Sequence, residues 1–583
     1  MKSLIRGERR WEISPLPEEN LVDQIVTSLS CARPFATLLA RRGGDHWQRL
    51  IDPDIDRFHS PFLLLGMEIA TSRVISAINN KDKIYIHGDF DADGLTGAAI
   101  LYQGLLSLFS PGTIKVEVGD RENGHGLSKK FVQRVIREEF NLVVTIDCGI
   151  SNGEEIAMLN DAGIDTIVTD HHVPPEEIPA AVAVIDAHQE NDSYPNQHLA
   201  GVGVAFKLVC AVYERLNRPI PYELLDLVAL GTIADLVPLA DGPEIENRAL
   251  VRKGFSLIAR GEGSSLGLQV LAKRLSINVK RISARDVGYF IAPKLNAANR
   301  AGDPKVAFLL LTTKDKNRAE YLTEILLDYN RDREIAQRDL IALAEEQLAG
   351  NGRNPRDDGI VVLSGENWNE GILGLAASSL ADRYHVPAIV ISEGSQVSRA
   401  SCRSVEGFDM AECLNAHSDL LLRHGGHKMA AGFSLENERI AELRERLFAY
   451  MTQQPVPAQY GAEMIDAEVA AREIDIRFYT NLRSLSPYGP GNPAPILLLR
   501  NCMFEEMTFV GAGRQHLKGR LVQNGVSLPF IAFRMGNHID LFEDGPVGVV
   551  FRAGFDDWRG SVQVNVVDLV TCDLVTCDLV TSD

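Results

Sequence analysis

The stretch HGDFDADG places His87, Asp89, Asp91 and Asp93 directly after the apolar run KIYI. Crowded acids repel one another and are costly to desolvate unless something positive lies among them. Three more clusters follow: Asp147 in TIDCG, Asp170, His171 and His172 in TDHH, and Asp235 in GTIAD. This mixed carboxylate and imidazole set suits Mn²⁺, and also Mg²⁺ where water fills some positions. It holds too many hard oxygens, and no usable cysteine, for structural zinc. The donors exceed what one ion needs, so two ions about 3.5–4 Å apart are expected to share a carboxylate, as in many phosphoesterases. Their chemistry would be activation of water and stabilisation of charge during phosphodiester hydrolysis. A calcium loop is the bland reading of DFDADG, but its twelfth position is Ile100, where a Glu is needed, and a strand precedes it. A solvated acidic turn explains the first cluster alone and not the other three.

The intervening elements explain how the clusters meet. KIYIHGDF, IKVEVGD, LVVTIDCG and DTIVTDHH read as strands, separated by the helical stretches GAAILYQGLLSLF, FVQRVIREE and EEIAMLNDAG. Such alternation predicts a parallel, doubly wound sheet, whose ligands bind beyond the carboxyl ends of the strands. Upstream, Ala70, Val74, Ile75 and Ile78 share one helical face. Between Pro304 and Gly350 there is no Gly or Pro, and Leu322, Ile325, Leu326 and Tyr329 form a stripe, so one long bridging helix is expected. A second α/β unit follows in GIVVLSG, GILGLAASSLADRY and PAIVIS, with LLRHGGHKMAAGF near its end. From about residue 465, short strands separated by Gly and Pro predict a small β-barrel.

The expected fold class is therefore α/β: two α/β lobes joined by a long helix, plus a C-terminal barrel. The expected boundaries are 1–50 for an N-terminal extension, 51–303 for the catalytic lobe, 304–352 for the helix, 353–452 for the second lobe and 460–570 for the barrel. The tail 571–583 repeats DLVTC with an odd period, which gives a strand no single face, and is expected to be disordered.

The 583-residue chain carries a net charge of −20, which argues against a basic coat for nucleic acid or membrane but not against local basic groups. No stretch approaches the ~18 apolar residues of a membrane span, and the N-terminal MKSLIRGERRWEISPLP has no apolar signal core. The eight cysteines form no CxxC pair and suit free thiols in a reducing compartment, so the cytoplasm is expected.

HGDFDADG, TIDCG, TDHH and GTIAD, in this order, resemble the four motifs of the DHH phosphoesterase superfamily. LLRHGGHKMAAG is similar to the glycine-rich motif of the DHH-associated domain. DRENGHGLS, LAGVGVAFKL, IAPKLNAANRAGD, GENWNEGILGLAAS, SCRSVEGFD and PYGPGNP extend the likeness over residues 35–570 to the RecJ family of 5′→3′ single-stranded-DNA exonucleases. The resemblance implies that Asp91, Asp93, His171 and Asp235 are metal ligands and that Asp147 bridges the ions. It places His87 where more distant members have a metal His, with Asp89 sharing that duty. It implies that His172 orients the phosphate or assists proton transfer, and that Asp170 orients its neighbours.

Local basic groups are available for DNA: Arg399 and Arg403 in SRASCRS, and Arg423, His424, His427 and Lys428 around Gly425 and Gly426, whose backbone can approach a phosphate. Arg300 in LNAANR is a further phosphate candidate. The C-terminal part resembles the OB fold of the family, where Phe509, Arg514, His516, Lys518 and Trp558 are candidates for DNA and Phe530 and Phe533 for the core. Two positions depart from the family: Asn369 stands where its members carry His, and Ser379 where they carry Arg. The resemblance implies single-stranded DNA as substrate, 5′-mononucleotides as products, and a single-strand binding protein and a RecQ-type helicase as partners in recombination and repair. Two alternatives are a DHH-type phosphodiesterase for short oligonucleotides or cyclic dinucleotides, which leaves the barrel without a role, and a non-catalytic scaffold, which the intact acids oppose.

Overall fold

A computed structural model describes the chain except residues 6–9, 53–57, 121–123, 243, 351, 454–462, 544, 557–558 and 572–583. The chain divides into two units. One comprises His59–Val237 and Leu250–Ala458, and the other Met1–Phe58, Pro238–Ala249 and Gln459–Asp583.

In the first of these, strands β1 (Ile84–Gly88), β2 (Ile114–Val118), β3 (Leu142–Ile146), β4 (Asp165–Thr169) and β5 (Ala183–Ile185) form a wholly parallel sheet in the order β2-β1-β3-β4-β5. Every residue of β1 and β3 is buried, as befits strands covered on both faces. Tyr85, Val143 and Val168 pack on Phe131, Val135, Ile156 and Leu159. The strand order reverses between β1 and β3, which opens a crevice at their carboxyl ends. The helix Ala92–Leu106 starts at once after β1 because the Asp91 side chain caps it, accepting from the amides of Asp93 (2.9 Å) and Gly94 (3.2 Å). Gly94 is required there, since a Cβ would fall 2.5 Å from the Asp89 carbonyl oxygen.

The expected single helix over 304–352 is instead two, Pro304–Thr312 and Lys316–Gly350. Thr313 is extended, its hydroxyl accepts from the Asp315 amide at 3.2 Å, and Asp315 then accepts from the Arg318 amide at 2.9 Å. These short polar side chains offer the backbone an alternative to helix, which a search for Gly and Pro overlooks. At about 1.5 Å per residue the 35-residue helix spans roughly 50 Å.

The second lobe holds β6 (Val361–Glu366), β7 (Ala388–Glu393), β8 (Val397–Arg403), β9 (Arg423–Gly426) and β10 (Ala430–Glu436), ordered β9-β10-β8-β7-β6. Only β6 and β7 pair in parallel. The helix Leu373–Tyr384 covers one face through Ala376, Ala377 and Leu380, joined by Leu340 and Ala344 of the long helix.

The other unit is built around a five-stranded closed barrel: β11 (Leu497–Val510), β12 (His516–Gln523), β13 (Val526–Ala532), β14 (Val547–Asp556) and β15 (Ser561–Val570). The ladder runs β11-β12-β13-β15-β14, and β14 pairs back onto β11. The N-terminal segment, expected as an extension, is part of this unit. Phe35, Leu38 and Leu39 share a core with Leu497, Leu499 and Phe551. Trp11 donates from Nε1 to buried Asp568 at 2.8 Å. The catalytic region expected as continuous over 51–303 is interrupted too: Arg248, fully buried, donates to the carbonyls of Leu485 and Ser484, both at 3.0 Å. An apolar sequence pattern shows that such segments have cores to join and not which core.

Phe530 is buried at 2% exposure, but Phe533, expected beside it in the core, is 52% exposed. Phe530 and Ala532 share the inward side of their strand, and an odd step turns Phe533 outward. The first tail copy ends β15, and the rest of the repeat lies outside the described residues. Cys31, Cys148, Cys210, Cys402, Cys413 and Cys502 are buried and, among the described residues, form no disulfide. Among the described residues, no helix is long and apolar enough to cross a membrane.

Candidate metal centre and nucleic-acid interface

The acids gather at the carboxyl ends of β1, β3 and β4. Three groups of ligand atoms lie within 4.8 Å: Asp89, Asp91 and Asp147; Asp147, His171 and His172; and Asp93, His171 and Asp235. Asp147 belongs to two of them, as a bridging carboxylate must. Its backbone is left-handed (φ 59), pinned by its amide to the Thr169 carbonyl at 2.9 Å. Such a conformation costs on the order of 1–3 kcal/mol in a non-glycine residue and persists where the surroundings enforce it. A Cβ on Gly201 would lie 2.6 Å from the Asp147 Cβ, so glycine alone lets that helix start reach the carboxylate.

Asp93 is buried, and its carboxylate accepts from the amides of Gly201 (2.7 Å) and Val202 (3.0 Å). His171 Nε2 stands 3.0 Å from Asp147 Oδ1, 3.6 Å from Asp235 Oδ2 and 3.9 Å from Asp93 Oδ2. Among the described residues, neither His171 Nε2 nor Asp147 Oδ1 makes a directed hydrogen bond, although both atoms are buried. Asp170, fully buried, is saturated. Its Oδ1 contacts His172 Nδ1 at 2.7 Å and accepts from the His171 amide at 2.8 Å, and its Oδ2 accepts from the Ile150 amide at 3.0 Å.

The electrostatics separate these roles. Burial, then the charges of Asp89 and Asp235, pushes Asp91 up to about 6. Burial and then neighbouring carboxylates push Asp93 and Asp147 well above the usual range. Burial is the largest influence on Asp170 and opposes its ionisation, but the bond to His172, the charges of His172 and His171 and the Ile150 amide together outweigh it and hold the carboxyl below the usual range. Burial disfavours the His171 imidazolium, yet Asp93 and Asp235 raise it above the ordinary imidazole value. Five mutually repelling acids, Asp89, Asp91, Asp93, Asp147 and Asp235, with a buried imidazole nitrogen lacking a directed partner among the described residues, fit hard divalent cations.

His87 is not brought into these groups. It shares a strand face with Tyr85, two positions back, and both rings pack on Phe131, the His87 ring at 4.5 Å. Burial lowers its imidazole below the ordinary value. The strand period thus points it at the apolar layer. His125, which the residue pattern did not single out, does reach the site. Its Nδ1 lies 3.1 Å from Asp89 Oδ1, and its ring is 5.0 Å from that of His172. The signal was available, for His125 lies in the loop that follows β2, beyond the same sheet edge as the acids.

Along β8 the outward positions alternate as Arg399, which is exposed, and Ser401 and Arg403, which are half-buried. Arg399 registers with Ser434 of β10, and that in turn with Arg423 of β9; Ser401 registers with Gly432, and that with Gly425. A lane of small residues therefore runs beside arginines, with Gly425, Gly426 and His427 exposed. Arg399 pairs with Glu370 at 2.9 Å, and Arg403 donates to the Cys402 carbonyl at 2.8 Å. Arg300 donates to the Gly371 carbonyl at 2.8 Å. Asn369 accepts from the Gly371 amide at 2.8 Å, and Ser379 contacts Gln337 of the long helix at 3.3 Å. In the barrel, the Arg514 guanidinium lies 4.2 Å from the Phe509 ring and His516 sits 5.4 Å from Phe533, with Lys518 exposed on the same strand. Trp558 lies outside the described residues.

Three family models match the chain: the DHH family, N-terminal domain at residues 83–232, the DHHA1 domain at 357–453 and the RecJ OB domain at 465–568. The single-stranded-DNA-specific exonuclease RecJ of Bacillus subtilis is 32% identical over 569 residues, 95% of this chain and 70% of that protein. That of Thermus thermophilus is 32% identical over 573 residues, 97% and 79% of the two chains. The crystal structure of RecJ in complex with Mn²⁺ from T. thermophilus aligns with a TM-score of 0.82 at 30% identity, covering 97% of this chain and 80% of that one. Its Mg²⁺ complex aligns at 0.76 and 29% identity, covering 96% and 78%.

Proposed function

The chain belongs to the RecJ family of single-stranded-DNA-specific exonucleases, and on that premise we propose how its residues perform the reaction. The protein is a metal-dependent exonuclease that degrades single-stranded DNA from the 5′ end to 5′-mononucleotides. The observation that carries the residue assignment is Asp147, shared between two ligand groups at the switch point of the sheet. Asp91, Asp93, Asp147, His171 and Asp235, with Asp89, would hold two Mn²⁺ or Mg²⁺ ions. Those ions supply Lewis acidity that activates water and offsets charge on the phosphate.

The chain's own groups do the rest. Asp170, held ionised, accepts from His172 Nδ1–H and so leaves Nε2 as the atom that meets the phosphate and manages the proton at the departing oxygen. Arg300, Arg399, Arg403 and the backbone at Gly425, Gly426 and His427 hold the strand's phosphates, and Arg514, His516 and Lys518 hold the strand on the barrel. The domains carry distinct tasks: hydrolysis on the parallel-sheet lobe, phosphate guidance on the second lobe and strand retention on the barrel.

A single-strand binding protein and a RecQ-type helicase are the proposed partners, since the substrate must first be unwound, and the cytoplasm is the proposed compartment. The test compares single-stranded DNA, duplex DNA and a cyclic dinucleotide under Mn²⁺. Rapid loss of the first alone is expected; hydrolysis confined to the dinucleotide would favour the small-substrate phosphodiesterase.

A further inference from the structure

Beside the Asp170–His172 pair the chain builds a second pair of the same design. Strands β4 and β5 run in register, with Thr169 opposite Ile185, so Asp170 and Asp186 leave neighbouring strand ends. The backbones at this point are about 4.8 Å apart. Asp186, like Asp170, is completely buried. Its Oδ1 accepts from the His188 amide at 2.8 Å and contacts His188 Nδ1 at 3.3 Å. The corresponding contacts of Asp170 with His172 are 3.2 and 2.7 Å. Both rings stay accessible, with side-chain exposures of 29% for His188 and 37% for His172.

The turn that carries His188 is held firmly. Gln189 Nε2 donates to the carbonyls of Val184 (3.0 Å) and Asp186 (3.2 Å), and Asp192 closes the next turn by bonding its amide to the Gln189 carbonyl at 3.1 Å. Locking this turn needs only the backbone amide of His188, which any residue but proline supplies. An imidazole whose Nδ1 faces a buried carboxylate is more than a lock requires. Asp186 Oδ2 is moreover buried and, among the described residues, has no hydrogen-bond partner, so the carboxylate is not used up by the turn.

We propose that Asp186 and His188 form an outer phosphate subsite, in which the phosphodiester next to the one being cleaved binds the His188 ring as the imidazolium, accepting from Nε2–H while Nδ1–H stays on Asp186. This rests on the nuclease reading above and adds to it a contact that fixes the strand one linkage away from the metals. Among the described residues, His188 is in none of the metal-ligand groups, which suits a role in holding substrate.

The experiment measures release of the first nucleotide from oligonucleotides that carry a neutral methylphosphonate at the second, third or fourth linkage, with native protein, His188→Ala and His188→Gln. One linkage should matter: its modification should slow the native protein roughly tenfold, the scale of one hydrogen bond to a charged group. His188→Ala should be slowed by a similar factor on the unmodified strand and lose nothing further at that linkage. His188→Gln, which keeps a donor, should recover part of the rate. Thermal melts with Mn²⁺ show whether each variant is folded. If the methylphosphonate penalty at every linkage is the same in native protein and in folded His188→Ala, the subsite is refuted and the pair is a turn lock. If the native protein leaves the unmodified strand intact, the nuclease reading falls with it.

Discussion

Asp93 binds the start of the helix Gly201–Arg215, accepting from the amides of Gly201 at 2.7 Å and Val202 at 3.0 Å while facing His171 at 3.9 Å. It is a structural brace as well as a candidate ligand. Asp147, by contrast, has a buried oxygen with no directed partner among the described residues. The two acids should respond oppositely to neutralisation. Asp93→Asn turns an amide donor toward a backbone donor and should cost the metal-free protein about 1–3 kcal/mol. Asp147→Asn removes repulsion and should raise metal-free stability by an amount on the order of 1 kcal/mol, while abolishing hydrolysis. Denaturant midpoints in a chelator check both signs.

The same repulsion sets a pH dependence. Asp91 is pushed up to about 6, and Asp93 and Asp147 further still. Unfolded aspartates ionise near about 4, so above that pH the folded metal-free protein holds more protons. Stability contributed by these groups is complete below about 4 and is lost as pH rises through the folded values. Metal-free stability should therefore fall from about pH 4 through 6 and beyond, and saturating Mn²⁺ should abolish the fall. Melting temperatures across that range, with chelator or Mn²⁺, measure it.

His125 touches Asp89 at 3.1 Å. Groups that position a metal ligand typically contribute about 10–100-fold in metal affinity or activity. His125→Ala should weaken Mn²⁺ binding on that scale, read by titration calorimetry.

Phe533 is half-exposed beside His516. Stacking of a base on an aromatic ring contributes about 1–3 kcal/mol. Phe533→Ala should weaken binding of an oligothymidylate by roughly tenfold, measured in chelator so that no hydrolysis intervenes. Phe530→Ala should instead destabilise the barrel, because Phe530 is buried.

Most of the metal cluster was legible because Asp91, Asp93, Asp147 and His171 follow strands that alternate with helices, so one topological rule brings distant acids together, whereas Asp235 ends the helix Leu225–Ala234. His87 shows where proximity in sequence misleads. It sits among the acids along the chain, but it is still inside the strand, and the two-residue period sends it to Phe131. Asp186 and His188 went unnoticed for the opposite reason, since β5 is only Ala183–Ile185 and leaves little periodic signal. The N-terminal helices and Arg248 join the barrel through contacts made far along the chain, which no local pattern records.

The most direct measurement incubates the protein with Mn²⁺ and single-stranded DNA labelled at either end, beside Asp147→Ala. The account predicts immediate release of the 5′ label as a mononucleotide, a descending ladder from the 3′ label, and loss of both in the variant. Intact DNA with native protein, or equal degradation by the variant, would contradict it.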